Sequence, residues 1–563
     1  MKTGSISSSV SRWVPGVALV RSYRREWLRS DLVAGVVLAA ILVPQGMAYA
    51  QLAGLPAVNG LYTTIACLVG YAILGPSRVL VLGPDSSVSP LILAAITPLM
   101  VTGDPASAVV LAGMLAVLVG LIEIGLGVCK LGFVADLLSS EVQVGYMNGL
   151  AITIIVGQLP KLCGFSTSAD TFGDEVRAFV DNIDSTVGAA LAVGVGVLLV
   201  LFVLPRITRR VPAVLVAVVG ATVVSAALSL ADHGVSTVGT LPKGIPSPSL
   251  PWTSAGDVGP LFLAAIGIVL VSLTDTIATA SSFAARRGEE LQPNQEMIGI
   301  GAANIAAGFF RGFAVSTSGS RTAVAEQSGA KSQVTGVVGA GLVAALLLFL
   351  NSLLADLPQS ALAAVVIAAA VSLMNIAALR HYARVRVSSV LLSLVASIGV
   401  IVLGVLQGIV VAIFLAVLLF FRRSWWPHGA VLGRVTHGEW HSIDQHDGAR
   451  EVPGVLAYRW EAPLFFANAG AFRQQIRKLV RERSPEWVVL ECEAITDIDV
   501  TAAEMIEQLD RELNAAGVHM AFVEMRTRLQ DLVQRYGLYE TLDRDHFYPT
   551  MEAALDAIPD ERR

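Results

Sequence analysis

The sequence predicts an all-α membrane protein of fourteen transmembrane segments, followed by a small α/β domain. Three observations carry this. The 563-residue chain is 54% hydrophobic and 15% charged, against about 25% charged in soluble domains, and its mean hydropathy is +0.67. Long apolar stretches recur from Leu32 to Phe421 without the period-2 alternation of a β-barrel. After Trp425-Trp426-Pro427 the composition turns polar, and strand and helix patterns alternate.

Composition also excludes some classes. The four cysteines, Cys67, Cys129, Cys163 and Cys492, have no pairing or metal spacing. Net charge is −5 without a basic tract, so no nucleic-acid partner is expected. Residues 1–30 lack signal-peptide order. Their arginines (Arg12, Arg21, Arg24, Arg25, Arg29) mark a cytoplasmic segment ahead of the first span.

The first span covers Asp31 to Gln51. Pro44 removes a backbone donor and predicts a kink or break, and Gln45 places an amide at bilayer depth. Gly60–Leu74 forms the second span. Then comes a β-branched run, Val79–Leu82, ending in Gly83-Pro84-Asp85-Ser86-Ser87. A helix starting near Ser86 and ending near Met100 is a half-span, and Asp85 suits its cap. Spans four to seven fit Ala106–Gly127, Phe133–Gly157, Val187–Leu204 and Ala213–Leu230, with an acidic external loop over 158–186. Span eight, Leu261–Phe283, carries Asp275 and Thr279 four residues apart on one helix face. A carboxylate at this depth is a functional candidate: it can neutralise Arg321, bind a cation or carry a proton. Span nine runs from Pro293 to Phe310, and spans eleven to fourteen fit Val334–Leu350, Leu362–Ala378, Ser389–Leu403 and Gly408–Phe421.

Between spans nine and eleven lies Gly312–Lys331, GFAVSTSGSRTAVAEQSGAK. Its hydroxyls and Arg321 are costly in hydrocarbon unless they face protein or water. A helix starting near Ser318–Arg321 presents free N–H groups and a positive dipole end, which suits an anion. Basic segments follow spans six, eight, twelve and fourteen, all on one side if the N-terminus is basic and cytoplasmic. Seven segments then repeat as an inverted seven, each half broken at its third segment, the sequence mark of a transporter's midplane site. This reading divides the chain into a cytoplasmic segment over 1–30, a transmembrane transport domain over 31–424, a linker over 425–439, the α/β domain over 440–555 and a tail over 556–563.

The α/β domain shows strand candidates at Gly454–Trp460, Trp487–Cys492 and Val518–Val523, with helices at Ala471–Arg483, Ala502–Ala516 and Thr527–Tyr536. It has no phosphate loop, hydrolase triad or zinc pattern, and His441 and His446 read as solvated, so a regulatory or assembly role is expected rather than an enzyme.

The run Val43-Pro-Gln-Gly-Met-Ala-Tyr-Ala-Gln-Leu-Ala-Gly-Leu-Pro56 followed by Asn59-Gly-Leu-Tyr62 resembles the signature of the sulfate permease family, relatives of the solute carrier 26 anion transporters. Gly83-Pro84, Pro293-Asn-Gln-Glu296, Gly301-Ala-Ala-Asn304 and Ser320-Arg321-Thr322 resemble it too, and the tail resembles a STAS domain. The resemblance implies an all-α membrane transporter, not an enzyme, with a core of spans 1–4 and 8–11 and a gate of spans 5–7 and 12–14. It implies a multi-pass homodimer in the plasma membrane, with both termini and the STAS domain cytoplasmic and elevator-like core movement. Carried over by position, the anion lies between spans three and ten, walled by Gln45, Tyr49, Ser86, Ser87, Ser320 and Arg321, with Asp275 and Thr279 for cation coupling.

Two departures stand out. Relatives often have an aromatic where Gly319 stands, which widens the seat here. Many have Glu where Asp275 stands, and the Asp275–Thr279 pair resembles the sodium site of bicarbonate-transporting members. Sulfate with a coupling cation is the leading expectation. Sodium and proton both stay open, as do sodium-coupled bicarbonate transport, C4-dicarboxylate transport and an anion channel. No cofactor is expected beyond the coupling ion. Thr501 aligns with a phosphorylatable Ser of anti-sigma antagonists, or simply caps the helix starting at Ala502; a cytoplasmic regulator would act there.

Overall fold

The structure is a computed structural model describing residues 14–100, 104–132, 139–167, 171–208, 212–435, 439–542 and 544–558. Arg12, Arg209, Arg210, the first residues of the expected fifth span (133–138) and the tail from 559 lie outside them. The chain divides into two compact units, Met1–Ala416 and Val417–Arg563.

The first unit is helical. In chain order its elements are α1 Pro15–Ser22, α2 Leu28–Leu52, α3 Ala57–Leu74, strand β1 Leu82–Gly83, α4 Ser89–Ile96, α5 Pro105–Val128, α6 Ser140–Leu162, α7 Phe172–Asp181, α8 Gly188–Ile207 and α9 Ala213–Ala227. The chain continues with α10 Ala255–Arg287, α11 Pro293–Phe309, strand β2 Ser316–Thr317, α12 Gly319–Gln327, α13 Val334–Phe349, α14 Gln359–Leu373, α15 Ile376–Val385, α16 Val387–Leu403 and α17 Val405–Trp425. Among the described residues seven helices are long and apolar enough to cross a bilayer, and five shorter apolar helices accompany them.

Two expectations change. Helix α2 runs unbroken through Pro44, so the proline removes one donor, opposite the Ala40 carbonyl, without ending the helix. The stretches read as an acidic loop and a basic loop each hold an amphipathic helix, α7 and α15.

Packing sorts the helices into two groups. α5 lies on α11 and α13 lies on α3; α5 also meets α10, as α13 meets α2. In the other group α16 lies on α6, and α14 lies on both α6 and α8. The α5–α11 contact is built on glycine. A Cβ at Gly120 would stand 2.4 Å from the Gly301 carbonyl oxygen, and one at Gly113 3.1 Å from that of Gly308. Only hydrogen at those positions lets two helix backbones approach so closely.

The second unit is a six-stranded sheet in the order β4-β3-β5-β6-β7-β8. Its strands are β3 Gly429–Arg434, β4 Trp440–Ser442, β5 Val455–Trp460, β6 Trp487–Glu491, β7 His519–Val523 and β8 Phe547–Tyr548. β5 to β8 run parallel, while β3 is antiparallel to β4 and β5. Both faces are covered. Leu456, Tyr458 and Trp460 of β5 join one core with α18 (Ala469–Arg483) and α19 (Val500–Ala515), while Val455 and Ala457 join Met551, Ala554 and Leu555 in the other. β3 lies inside the stretch expected to be a linker, so the sheet begins before residue 440, where the α/β domain was expected to start.

Candidate functional site

β1 and β2 pair antiparallel, Leu82 opposite Thr317 and Gly83 opposite Ser316. The pair is extended by the Ser318 N–H donating to Val81 O (3.2 Å) and the Val81 N–H donating to Thr322 Oγ1 (3.1 Å). The two short helices α4 and α12 therefore start beside one another. Backbone broken at bilayer depth is tolerated only where protein or water satisfies it.

Three buried carboxylates hold this arrangement. Glu123 of α5 accepts from Ser272 Oγ (3.1 Å) and Asn304 Nδ2 (2.8 Å), and Asn304 Oδ1 accepts the Val315 N–H just before β2. Glu296 of α11 accepts from Tyr71 and Ser77, on the approach to β1. Asp31 of α2 accepts the N–H groups of Lys331 and Ser332 and the hydroxyls of Ser332 and Thr335, fixing the start of α13. Sequence reading missed all three networks, because each joins residues far apart in the chain.

A cavity of about 860 Å³ opens in front of the two helix starts. Gln45, Tyr49, Ser86, Asp275, Thr279 and Ser320 all line it, together with Asp85, Ser318 and Gly319. Ser318 and Ser320 place their hydroxyl oxygens 3.1 Å apart at the mouth of α12. Thr279 faces Gly319, where a Cβ would meet nothing closer than 3.9 Å. The opposite wall comes from α6, α8, α9 and α14, with Gln143, Ser372 and Asn375, just past α14, as its polar members. Gln143 Nε2 donates to Asp275 Oδ1 at 3.4 Å. Its sequence signal was an amide in an apolar span, as for Gln45.

Ser87 and Arg321 do not line the cavity. Ser87 is fully buried and its N–H and Oγ donate to Asp85 Oδ2. Arg321 is 1% exposed; Nη1 donates to Pro84 O (2.7 Å) and Nη2 to Asp85 Oδ1 (3.3 Å). The guanidinium is packed over Gly83, where a Cβ would stand 2.8 Å from Nη1. The expectation that its fork reaches into the seat, or that Asp275 neutralises it, is corrected: its partner is Asp85, and it braces the two strands from behind.

The sulfate permease family model matches residues 28–396, and the STAS domain model matches 448–554. The chain belongs to the sulfate permease family. It is 40% identical to the probable sulfate transporter Rv1739c of Mycobacterium tuberculosis over 97% of this chain and 98% of that one. Membership makes it a secondary transporter of an inorganic anion, not an enzyme. The fold is also that of murine Slc26a9, an anion transporter captured inward-facing: TM-score 0.89, 23% identity, 98% of this chain and 95% of that one. The transmembrane domain of the cyanobacterial bicarbonate transporter BicA aligns with TM-score 0.61 and 22% identity over 70% of this chain and 98% of its own.

In the STAS unit of this permease, Thr501 is exposed in the first turn of α19. It is not the cap. Asp499 is, its side chain accepting the Ala502 N–H at 2.8 Å. Burial pushes the Cys492 thiol up, which leaves it unreactive.

Proposed function

We propose that the chain moves sulfate across the plasma membrane by cation-coupled, elevator-like transport, with Asp275 as the coupling residue. The observation that carries this is the charge pattern of the cavity. Two helix starts offer N–H groups and hydroxyls to an anion, yet no Lys, Arg or His lines the cavity among the described residues. Asp85 is cancelled by Arg321, while Asp275 meets only neutral donors among the described residues, the Gln143 amide and the Ser87 hydroxyl. Two like charges about 4 Å apart near a protein surface repel by roughly 4 kcal/mol, and entry against a negative interior adds about 2.3 kcal/mol per charge per 100 mV. A cation or proton on Asp275 removes the first term and offsets the second.

The packing supports an inverted repeat of seven plus seven segments. Exchanging the halves turns α5 on α11 into α13 on α3, and α16 on α6 into α8 on α14. The same contacts favour a core of α2 to α5 with α10 to α13, sliding against a gate of α6, α8, α9, α14, α16 and α17. The homodimer, the cytoplasmic termini and regulation through Thr501 rest on the family resemblance.

Sodium-coupled bicarbonate transport is a second reading, favoured by one observation: Thr279 stands one turn from Asp275 on the same cavity wall, able to add an oxygen ligand. Uptake of labelled sulfate and bicarbonate by reconstituted protein, under imposed sodium or proton gradients, separates the two. Asp275→Asn should stop or uncouple transport; full gradient-driven uptake by that variant ends the proposal. A sodium dependence lost in Thr279→Ala selects bicarbonate.

A further inference from the structure

A second polar cavity, of about 130 Å³, opens where α6 ends and α14 begins. It shares no lining residue with the first. Lys161 of α6, Ser166 after α6, Ser236 from the loop after α9, and Gln359 and Ser360 from the first turn of α14 supply its polar groups, and no carboxylate among the described residues lines it. Ser166 and Ser236 are exposed at its rim, so it is open to solution.

Ser360 is the most telling residue. It is 2% exposed, and its Oγ has no hydrogen-bond partner. Buried hydroxyls are nearly always paired, so an orphan facing a cavity asks for a ligand. It sits at the start of a fifteen-residue helix whose N-cap, Pro358, has no side-chain acceptor to offer. The Gln359 N–H is used by Ser236 O, but the Ser360 N–H has no partner among the described residues. A positive dipole end, a free N–H and a free hydroxyl thus converge. Lys161 adds a full charge. It makes no hydrogen bond or ion pair among the described residues; Glu175 of α7 acts on it from beyond contact distance and does not line the cavity.

We propose that this cavity is a second anion site, taking one small oxyanion between Lys161 Nζ and the hydroxyl and N–H of Ser360. The anion would bridge α6 and α14, the two helices whose other ends line the transport cavity. Binding here is therefore placed to stiffen the wall against which the transported anion moves.

Equilibrium binding of radiolabelled sulfate to the purified full-length protein tests it. Lys161→Gln and Ser360→Val should each weaken one component of the isotherm about tenfold to a hundredfold, the range for a charge-assisted hydrogen bond. Lys161→Arg should keep that component. Wild-type isotherms in both disabling variants overturn the proposal. Should those variants misfold, the wild type decides: selenate density between Lys161 and Ser360 supports the site, and a cavity empty at millimolar selenate overturns it. Occupancy by phosphatidylglycerol headgroups but not by sulfate likewise overturns a free-anion site.

Discussion

Arg321 and Asp85 are 236 residues apart in sequence and share one buried ion pair. Removing one partner of such a pair leaves an uncompensated charge and costs about 3–5 kcal/mol. Arg321→Met should therefore lower the yield of folded protein, rather than only weaken substrate binding. Asp85→Asn with Arg321→Met should recover part of the loss, since no charge is then stranded. Size-exclusion profiles and melting of the single and double variants check this. A well-folded Arg321→Met protein with impaired substrate affinity would return the arginine to the seat. The sequence marks Arg321 as exceptional because arginine is rare at bilayer depth. It cannot mark Asp85 as its partner, since that pairing exists only once β1 and β2 meet.

At the scale of elements, the glycine seam between α5 and α11 makes the strongest claim. Gly113, Gly120 and Gly127 recur at seven-residue spacing against Gly308, Gly301 and Asn294, an antiparallel crossing in close backbone contact. Gly120→Ala puts a methyl 2.4 Å from a carbonyl oxygen, and the helices must separate. Overpacking of this kind costs about 1–3 kcal/mol. Because Glu123 and Asn304 lie on the same two helices, the Val315 hydrogen bond should loosen with them. Melting temperature and uptake should both fall, while Gly125→Ala, which meets nothing within 4 Å, should change neither. Unchanged melting in Gly120→Ala would show that the seam tolerates separation. Span positions were legible because apolar runs are long and loops carry charge. The broken third segments were legible from Gly-Pro and hydroxyl clusters. The amphipathic α7 and α15 were not, since their charge imitates loops, and β3 was hidden by its position next to a Trp-Trp-Pro junction.

For the whole molecule, the question is whether the anion site needs the STAS unit. Every residue lining the transport cavity lies at or before Asn375, inside the first unit. The buried carboxylates that set the strands, Asp31, Glu123 and Glu296, have all their hydrogen-bond partners there too. The sheet begins at Gly429 and has two hydrophobic cores of its own. A chain ending after Pro427 keeps the last helix and cuts no strand. Groups that share no partners couple by about 0.3–0.5 kcal/mol, roughly a factor of two in affinity. Anion binding by the folded truncated protein should therefore stay within about twofold of the full chain, while turnover is free to change if the STAS unit regulates movement. Equilibrium binding on detergent-purified protein, with melting as the control for folding, measures it. Loss of binding in a truncated protein that melts like the first unit of the full chain would show that the second unit completes the site.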